Sequence, residues 1–289
     1  MKRFVLLFLT VVVFSFFLGR SAKAQSSVIP HASPSSAVKP TPSLEKNFIR
    51  NILHDQKMIW TSPFRLDSDD AKWLLPLAGV TAVTLATDSH TSAWVDRRGG
   101  LPVFSHDVSW AGKAYVTGGI AGAFYLAGRS FHNQRASETG VLAAQALIDT
   151  GIVTEVLKLS TGRLRPNSEN GTGEFLDGGS SFPSGHASSV WSLATVIAYE
   201  YKDKPLVRYG AFAAATAVSM SRYSGRNHFL TDIVIGSAIG FGIGRYVYRS
   251  YHQEDLGLPA KTTTRLIPTF IPYYDGRTHT YGGSLIWRL

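Results

Sequence analysis

Apolar residues are concentrated in six long segments that are rich in Ala, Gly and Leu. These segments cover residues 73–87, 114–128, 140–157, 187–200, 207–221 and 231–248. None of them alternates steadily between apolar and polar positions, as a half-buried strand would. The pattern therefore predicts an all-α fold, a six-helix bundle, whose first helix begins at the acidic stretch 67–70.

A shorter amphipathic segment precedes the bundle. Its apolar residues Leu44, Phe48, Ile52 and Leu53 recur at helical spacing up to Trp60. Such a helix either packs on the core or lies on a membrane surface. We favour packing on the core.

The two ends of the chain differ from the middle in composition. At the C-terminal end, Asp275 and Gly276 separate two stretches rich in β-branched and aromatic residues, which predicts a short β-hairpin. We divide the chain into a signal peptide (1–24), a Pro/Ser-rich linker (25–43), a helical domain (44–255) and a C-terminal extension (256–289).

The predicted signal peptide follows the usual order of features. Lys2 and Arg3 precede an apolar run at 4–18, and Ala22 and Ala24 form a small-x-small cleavage site. The run is shorter than the roughly 20 residues that a membrane-spanning helix needs. We therefore expect an exported protein located in the periplasm.

Charged residues interrupt the later apolar segments. Asp149, Glu155 and Lys158 fall within or beside the third segment, and the mean hydropathy of the chain is only +0.02. No uncharged apolar run reaches about 18 residues, which favours a soluble bundle. Polar active-site residues also shorten genuine spanning runs, so membrane association stays open.

Net charge and cysteine content exclude some functions. The formal charge of +9 includes four basic residues of the predicted signal peptide, which leaves a modest excess that favours anionic partners. Basic residues do not cluster with aromatic ones, so no nucleic-acid partner is expected. The chain has no cysteine, which excludes thiolate nucleophiles and thiolate metal sites.

A basic motif closes the third segment, with the sequence Lys-Leu-Ser-Thr-Gly-Arg-Leu-Arg-Pro at 158–166. Lys158 and Arg165 are seven residues apart, so a continuous helix would place both on one face, where they could clamp a dianion. Basic residues that complement the C-terminal end of a helix dipole are the alternative.

A second motif, Ser-Ser-Phe-Pro-Ser-Gly-His at 180–186, comes just before the fourth segment. Ser184 and Gly185 at a helix N-terminus can present N–H groups to a phosphate oxygen. His186 could donate a proton to a departing alkoxide. An ordinary N-cap explains everything in this motif except the histidine.

The third motif, Ser-Arg-Tyr-Ser-Gly-Arg-Asn-His-Phe-Leu-Thr-Asp at 221–232, enters the sixth segment. His228 and Asp232 are four residues apart, so their side chains would meet on a helix. The carboxylate could then hold one ring nitrogen protonated and leave the other as a nucleophile. A solvated ion pair is the alternative, although an idle charge beside an apolar helix is costly.

Together these stretches resemble the signature of the type 2 phosphatidic acid phosphatase and vanadium haloperoxidase superfamily. The patterns Lys-x6-Arg-Pro, Pro-Ser-Gly-His and Ser-Arg-x5-His-x3-Asp occur in this order. Sixteen residues separate Pro166 from Pro183, and thirty-four separate His186 from Ser221. The joint match is highly specific, and the six segments around it fit the helical bundle of that superfamily.

The resemblance implies a role for each matching residue. His228 would attack phosphorus and form a phosphohistidine, Asp232 would orient its ring, and His186 would act as acid and then as base. The groups that would bind the phosphate oxygens are Lys158, Arg165, Ser184, Gly185 and Arg222. No metal or other cofactor is implied. Arg163 and Arg226 lie outside the signature, and we assign them to the surface.

Three functions remain at this point. The favoured one is an exported, metal-independent phosphatase acting on phosphate monoesters of a small molecule or of a lipid head group. Vanadate would be an inhibitor of that enzyme, but it would be the cofactor of a vanadium-dependent haloperoxidase, which is the second reading. The third is a non-catalytic protein that binds lipids or anions. No feature of the sequence predicts an oligomeric state.

Overall fold

A computed structural model describes residues 44–65, 68–97, 108–168, 171–256, 269–275 and 280–286 of the chain. The predicted signal peptide and linker lie outside these residues, and so does the turn expected at 276–279. The corresponding domain boundaries therefore remain predictions.

Within the described ranges the chain is mostly helical. The α-helices are α1 (Leu44–Thr61), α2 (Ser68–Arg97), α3 (Ala114–Ser130), α4 (Gln134–Thr161), α5 (Gly185–Glu200), α6 (Pro205–Ser224) and α7 (Leu230–Leu256). Two short 3-10 helices cover Ser62–Arg65 and Trp110–Gly112. The strands β1 (Thr269–Asp275) and β2 (Thr280–Ile286) pair antiparallel. Because the residues joining them are not described, the hairpin stays a prediction.

The predicted count of six helices is wrong, since seven α-helices occur in the described part of the chain. The additional helix is the amphipathic segment, which packs on α4 and so becomes part of the bundle. Its residue Asp55 is buried and accepts a 2.5 Å hydrogen bond from Gln145 Nε2. Gln56 Nε2 donates to Asp149 Oδ1 at 2.8 Å. These bonds support the interpretation that the segment packs on the core.

Local sequence explains where several helices begin and end. The side chain of Asn133 accepts a hydrogen bond from the backbone N–H of Ala136 and caps the start of α4. Gly162 ends the same helix in the left-handed conformation, with φ of +51°, which glycine adopts without strain. Pro205 occupies the first turn of α6, where its missing N–H has no cost.

Helices α4, α5 and α7 form the centre of the bundle. The largest apolar cluster draws on these helices and on α3: Ala121, Leu142, Ala143, Ala146, Val153, Leu193, Val196, Ile243 and Val247. Glycines allow α5 and α7 to approach closely. A Cβ atom at Gly240 would lie 2.1 Å from the carbonyl oxygen of Ser188.

Large apolar side chains also cover parts of the outer surface. On α4, Ile148, Ile152, Val156 and Leu159 follow one face and are exposed, Leu159 to 85%. Helices Gln134–Thr161 and Leu230–His252 are long and apolar enough to cross a membrane by length and composition. The charge of Asp149 interrupts the apolar run along the sequence, but its side chain is fully buried, so the outer face stays apolar. This distribution counts against the soluble bundle that the sequence favoured.

Substitutions of two glycines on α7 test the close contact with α5. We expect Gly240→Ala to destabilise the fold by at least about 2 kcal/mol, because the added methyl group meets backbone atoms. Gly242→Ala is the matched control, since a Cβ there meets no atom within 4 Å, and it should stabilise by roughly 0.5–1 kcal/mol. Thermal unfolding of both variants checks the prediction. Equal midpoints would contradict it.

Candidate active site

The three motifs meet where α4 ends and where α5 and α7 begin. Backbone hydrogen bonds join the segments that carry them. The N–H of Ser184 donates to the carbonyl oxygen of Asp232 at 3.0 Å, and the N–H of Ser181 donates to that of Arg163 at 2.9 Å. Segments far apart in the sequence are therefore held together by main-chain contacts.

Lys158 and Arg165 do not share a helical face as predicted. The helix ends at Thr161, and the left-handed turn at Gly162 redirects the chain before Arg165. The guanidinium of Arg165 instead lies 3.5 Å from the Ser180 carbonyl oxygen. Both residues nevertheless lie close enough to His186 to lower its pKa.

The ammonium group of Lys158 lies over the backbone at the start of α5. A Cβ atom built on Gly185 would be 3.1 Å from Lys158 Nζ. The same Nζ atom pairs with Glu155 Oε1 at 2.5 Å. Glycine at position 185 thus leaves room for a cation beside the N–H groups of a helix N-terminus.

Two buried donors near the site lack hydrogen-bond partners. They are Ser184 Oγ and Arg222 Nε. Arg222 donates through Nη1 to Ser109 Oγ, and burial, followed by the charge of Arg165, lowers its pKa to about 10. It is therefore still cationic at neutral pH. Unpartnered buried donors beside cations suit the oxygens of a tetrahedral anion.

His186 lies in the first turn of α5 and is half-buried. Burial lowers its pKa to about 3, and the charges of Arg222, His228, Lys158 and Arg165 contribute in the same direction. The imidazole is consequently neutral at neutral pH. These four groups come from the three motifs, and all of them act electrostatically on the His186 ring.

His228 is 2% exposed and precedes α7 instead of lying on it. Its Nδ1 atom is 2.8 Å from the Ser181 carbonyl oxygen and 3.5 Å from Asp232 Oδ2. A carbonyl oxygen only accepts hydrogen bonds, so Nδ1 carries the hydrogen and Nε2 keeps its lone pair. The principal partner of the ring is therefore Ser181, not Asp232 as predicted. Burial also lowers the pKa of His228, although Asp232 opposes this.

Asp232 is fully buried in the first turn of α7. Its Oδ1 atom accepts from Arg163 Nη1 at 2.6 Å, and its Oδ2 atom accepts from Ser181 Oγ at 2.5 Å and from the N–H of Phe229 at 2.9 Å. Arg163 is 2% exposed, so its predicted surface location is wrong. The pattern Lys-x6-Arg-Pro marks Arg165 and not Arg163, and it gives no sign that the turn at Gly162 directs the Arg163 side chain inward.

The short 3-10 helix at Trp110–Gly112 adds two residues that the motifs did not indicate. Ser109, at its start, accepts the hydrogen bond from Arg222. A Cβ atom at Gly112 would lie 2.8 Å from Cδ2 of His186, so only glycine allows this close contact. Both positions are remote in sequence from the motifs, which is why sequence reasoning missed them.

A groove of about 530 Å³ lies between α2 and α6 and is lined by Thr87, His90, Thr91, Trp94 and Tyr223. Tyr223 directly follows Arg222 in the chain. The groove therefore includes a residue of α6 next in sequence to Arg222.

Comparisons with known proteins agree with the motifs. Residues 139–255 match the family model of the PAP2 superfamily. A PA-phosphatase related-family protein of Dictyostelium discoideum is 32% identical over 47% of this chain and 58% of its own length. The lipid A 1-phosphatase of Porphyromonas gingivalis is 32% identical over 32% of this chain and 19% of its own length. The matches thus cover less than two thirds of either relative.

Among solved structures, the first transmembrane PAP2 type phosphatidylglycerolphosphate phosphatase from Bacillus subtilis is similar, with 19% identity and a TM-score of 0.43. The alignment covers 74% of this chain and 96% of that protein. The resemblance inferred from the three motifs is confirmed over residues 139–255, which match the model of the PAP2 superfamily.

Proposed function

We propose that this protein is a phosphatase that hydrolyses a lipid phosphate monoester through a phosphohistidine at His228. The observation that carries the proposal is the 2.8 Å contact between His228 Nδ1 and the Ser181 carbonyl oxygen. It supports a fixed tautomer in which Nε2 is free to act as the nucleophile.

In the first step, His228 Nε2 attacks phosphorus while the bond from phosphorus to the ester oxygen breaks. His186 is neutral in the free protein and takes up a proton when the phosphate dianion binds; it donates that proton to the departing oxygen, which leaves as an alcohol. In the second step, His186 takes a proton from water, the water oxygen attacks phosphorus, and the bond to Nε2 breaks. Inorganic phosphate is released and His228 is neutral again.

Charge on the phosphoryl oxygens would be held by the side chains of Lys158, Arg165 and Arg222. The Ser184 hydroxyl and the Gly185 N–H add neutral donors at the start of α5. These cations stand where many phosphoryl-transfer enzymes place magnesium, so we propose that the reaction needs no metal.

Three observations favour a lipid substrate. The relative from Porphyromonas gingivalis is named as a lipid A 1-phosphatase. Large apolar side chains are exposed on α2 and α4, which suits association with a membrane. The groove lined by Trp94 and Tyr223 offers space for the lipid part of the substrate. Together with the predicted signal peptide, these observations support our proposal that the enzyme acts at the periplasmic side of a membrane.

Two histidine variants test the mechanism. His228→Ala should reduce turnover of p-nitrophenyl phosphate by at least about 10³-fold, because it removes the nucleophile. His186→Ala should still form the phosphoenzyme with this good leaving group but hydrolyse it slowly, so labelled protein accumulates. Retained turnover in His228→Ala would contradict the mechanism. Peroxide- and vanadate-dependent bromide oxidation without hydrolysis would favour a haloperoxidase, and phosphate binding without turnover a binding protein.

Substrate class and metal independence can be tested together. We expect kcat/KM for phosphatidate in mixed micelles to exceed that for glycerol 3-phosphate by at least about 10-fold, with no loss in excess EDTA. Trp94→Ala should lower the value for the lipid only, because Trp94 lines the groove. Tyr209→Ala on α6 is the control, since Tyr209 is an exposed aromatic residue outside the groove and outside the apolar surfaces of α2 and α4. Equal effects of both variants would contradict a role for the groove.

Anion binding should change the protonation of His186. Burial and four neighbouring groups hold its pKa at about 3, below its usual 6.5. A bound dianion offsets those cations, so the pKa rises and the protein takes up a proton. Calorimetric titration with sulfate at pH 5.5, in buffers of different ionisation enthalpy, should detect this uptake in the wild type and not in His186→Asn. Equal uptake in both proteins would contradict the assignment.

A further inference from the structure

Arg163 is buried at the centre of an ion-pair network behind the His228 ring. Its Nη1 atom is 2.6 Å from Asp232 Oδ1, and its Nη2 atom is 2.7 Å from Asp88 Oδ2. Its Nε atom donates to the Gly173 carbonyl oxygen at 3.1 Å. All three nitrogens of the guanidinium are thus engaged, and its position is closely defined.

Aromatic rings restrict the same guanidinium from its sides. Its carbon lies 4.3 Å from the ring centroid of Phe229 and 4.7 Å from that of Phe175. Cation–π contacts of this kind strengthen when the cation is desolvated. They therefore help to keep Arg163 beside Asp232.

Asp88 connects this network to a helix outside the three motifs. It lies on α2, is 3% exposed, and accepts with Oδ1 from the N–H of Thr231 at 3.2 Å. One carboxylate therefore holds both the Arg163 side chain and the first turn of α7, the turn that carries Asp232.

The backbone of Arg163 fixes the other partner of the nucleophile. Its carbonyl oxygen accepts from the N–H of Ser181, and the Ser181 carbonyl oxygen accepts from His228 Nδ1. Through its side chain and its main chain, Arg163 contacts both groups that lie against His228 Nδ1.

We infer that Asp88 and Arg163 are positioning residues that set the orientation, tautomer and charge of the His228 imidazole through Asp232 and Ser181. Asp88, Arg163 and Asp232 together carry one net negative charge behind the ring. Removing the charge of Arg163 makes this net charge more negative by one, and removing that of Asp88 makes it less negative by one. The inference rests on the proposed role of His228 as the nucleophile, but it is testable without turnover.

The other titratable groups that act on His228 come from several elements. Asp232 lies on α7, Arg222 on α6, Arg165 in the loop after α4, and the neutral His186 on α5. These four groups stay unchanged in the variants proposed below. A difference between variants therefore reports the charge at positions 88 and 163.

Nitrogen NMR of ¹⁵N-histidine-labelled protein in detergent micelles measures the tautomer and the pKa of His228 directly. Arg163→Gln should raise the pKa by about one unit, because the two carboxylates then lack their cation. Asp88→Asn should lower it by a similar amount, because Arg163 then acts on Asp232 alone. The double variant restores the net charge and should return the pKa towards that of the wild type.

Activity provides the second readout. In Asp88→Asn and Arg163→Gln, kcat should fall by about 10–100-fold while KM changes little, because the phosphate-binding side chains are untouched. Arg135→Gln is the control, since it removes a guanidinium from an ion pair with Asp203 outside the site. If Arg163→Gln fails to fold, the shift in the nearly isosteric Asp88→Asn decides the question.

The outcomes separate this inference from the proposed function. If the wild type hydrolyses no phosphate ester yet His228 titrates as described, the phosphatase proposal fails and the positioning role stands. If the wild type is active but Asp88→Asn and Arg163→Gln titrate like Arg135→Gln, the positioning role is overturned.

Discussion

The hydrogen bond between His228 Nδ1 and the Ser181 carbonyl oxygen is the interaction on which the chemistry of this protein depends. A backbone carbonyl cannot donate, so the bond selects one neutral tautomer and leaves a free lone pair on Nε2, the proposed nucleophile. The carbonyl is itself held, because the N–H of Ser181 donates to Arg163. The main chain thus fixes the hydrogen-bond acceptor of Nδ1, while the side chains of Asp88 and Arg163 act on the ring through Asp232.

Charge is divided between the two sides of this ring. In the proposed mechanism Lys158, Arg165 and Arg222 face the bound phosphate, and all three act electrostatically on a neutral His186. The carboxylate of Asp232 lies on the other side, with Arg163 as its counter-ion. As phosphorus bonds to Nε2, the cations would stabilise the negative charge on the phosphoryl oxygens. The carboxylate near Nδ1 would stabilise the positive charge that develops on the ring.

The sequence identified the elements of the bundle and the residues of the three motifs, because periodicity and spacing are local properties. It failed where side-chain direction depends on a turn. Arg163 and Arg165 are only two residues apart, and both follow the left-handed turn at Gly162. Arg163 is buried, whereas Arg165 lies near the candidate site. Asp149 interrupts an apolar run in the sequence, which favoured a soluble bundle. Its side chain is buried in the bundle, however, so the outer surface of α4 remains apolar.

The position of the phosphoryl group on the trapped intermediate tests the proposed mechanism most directly. Phosphorus NMR of the His186→Ala phosphoenzyme, together with peptide mapping, distinguishes the two ring nitrogens and the residue that carries them. We predict that the phosphoryl group is bonded to Nε2 of His228. Phosphate on Nδ1 of that ring, or on any other residue, would contradict it.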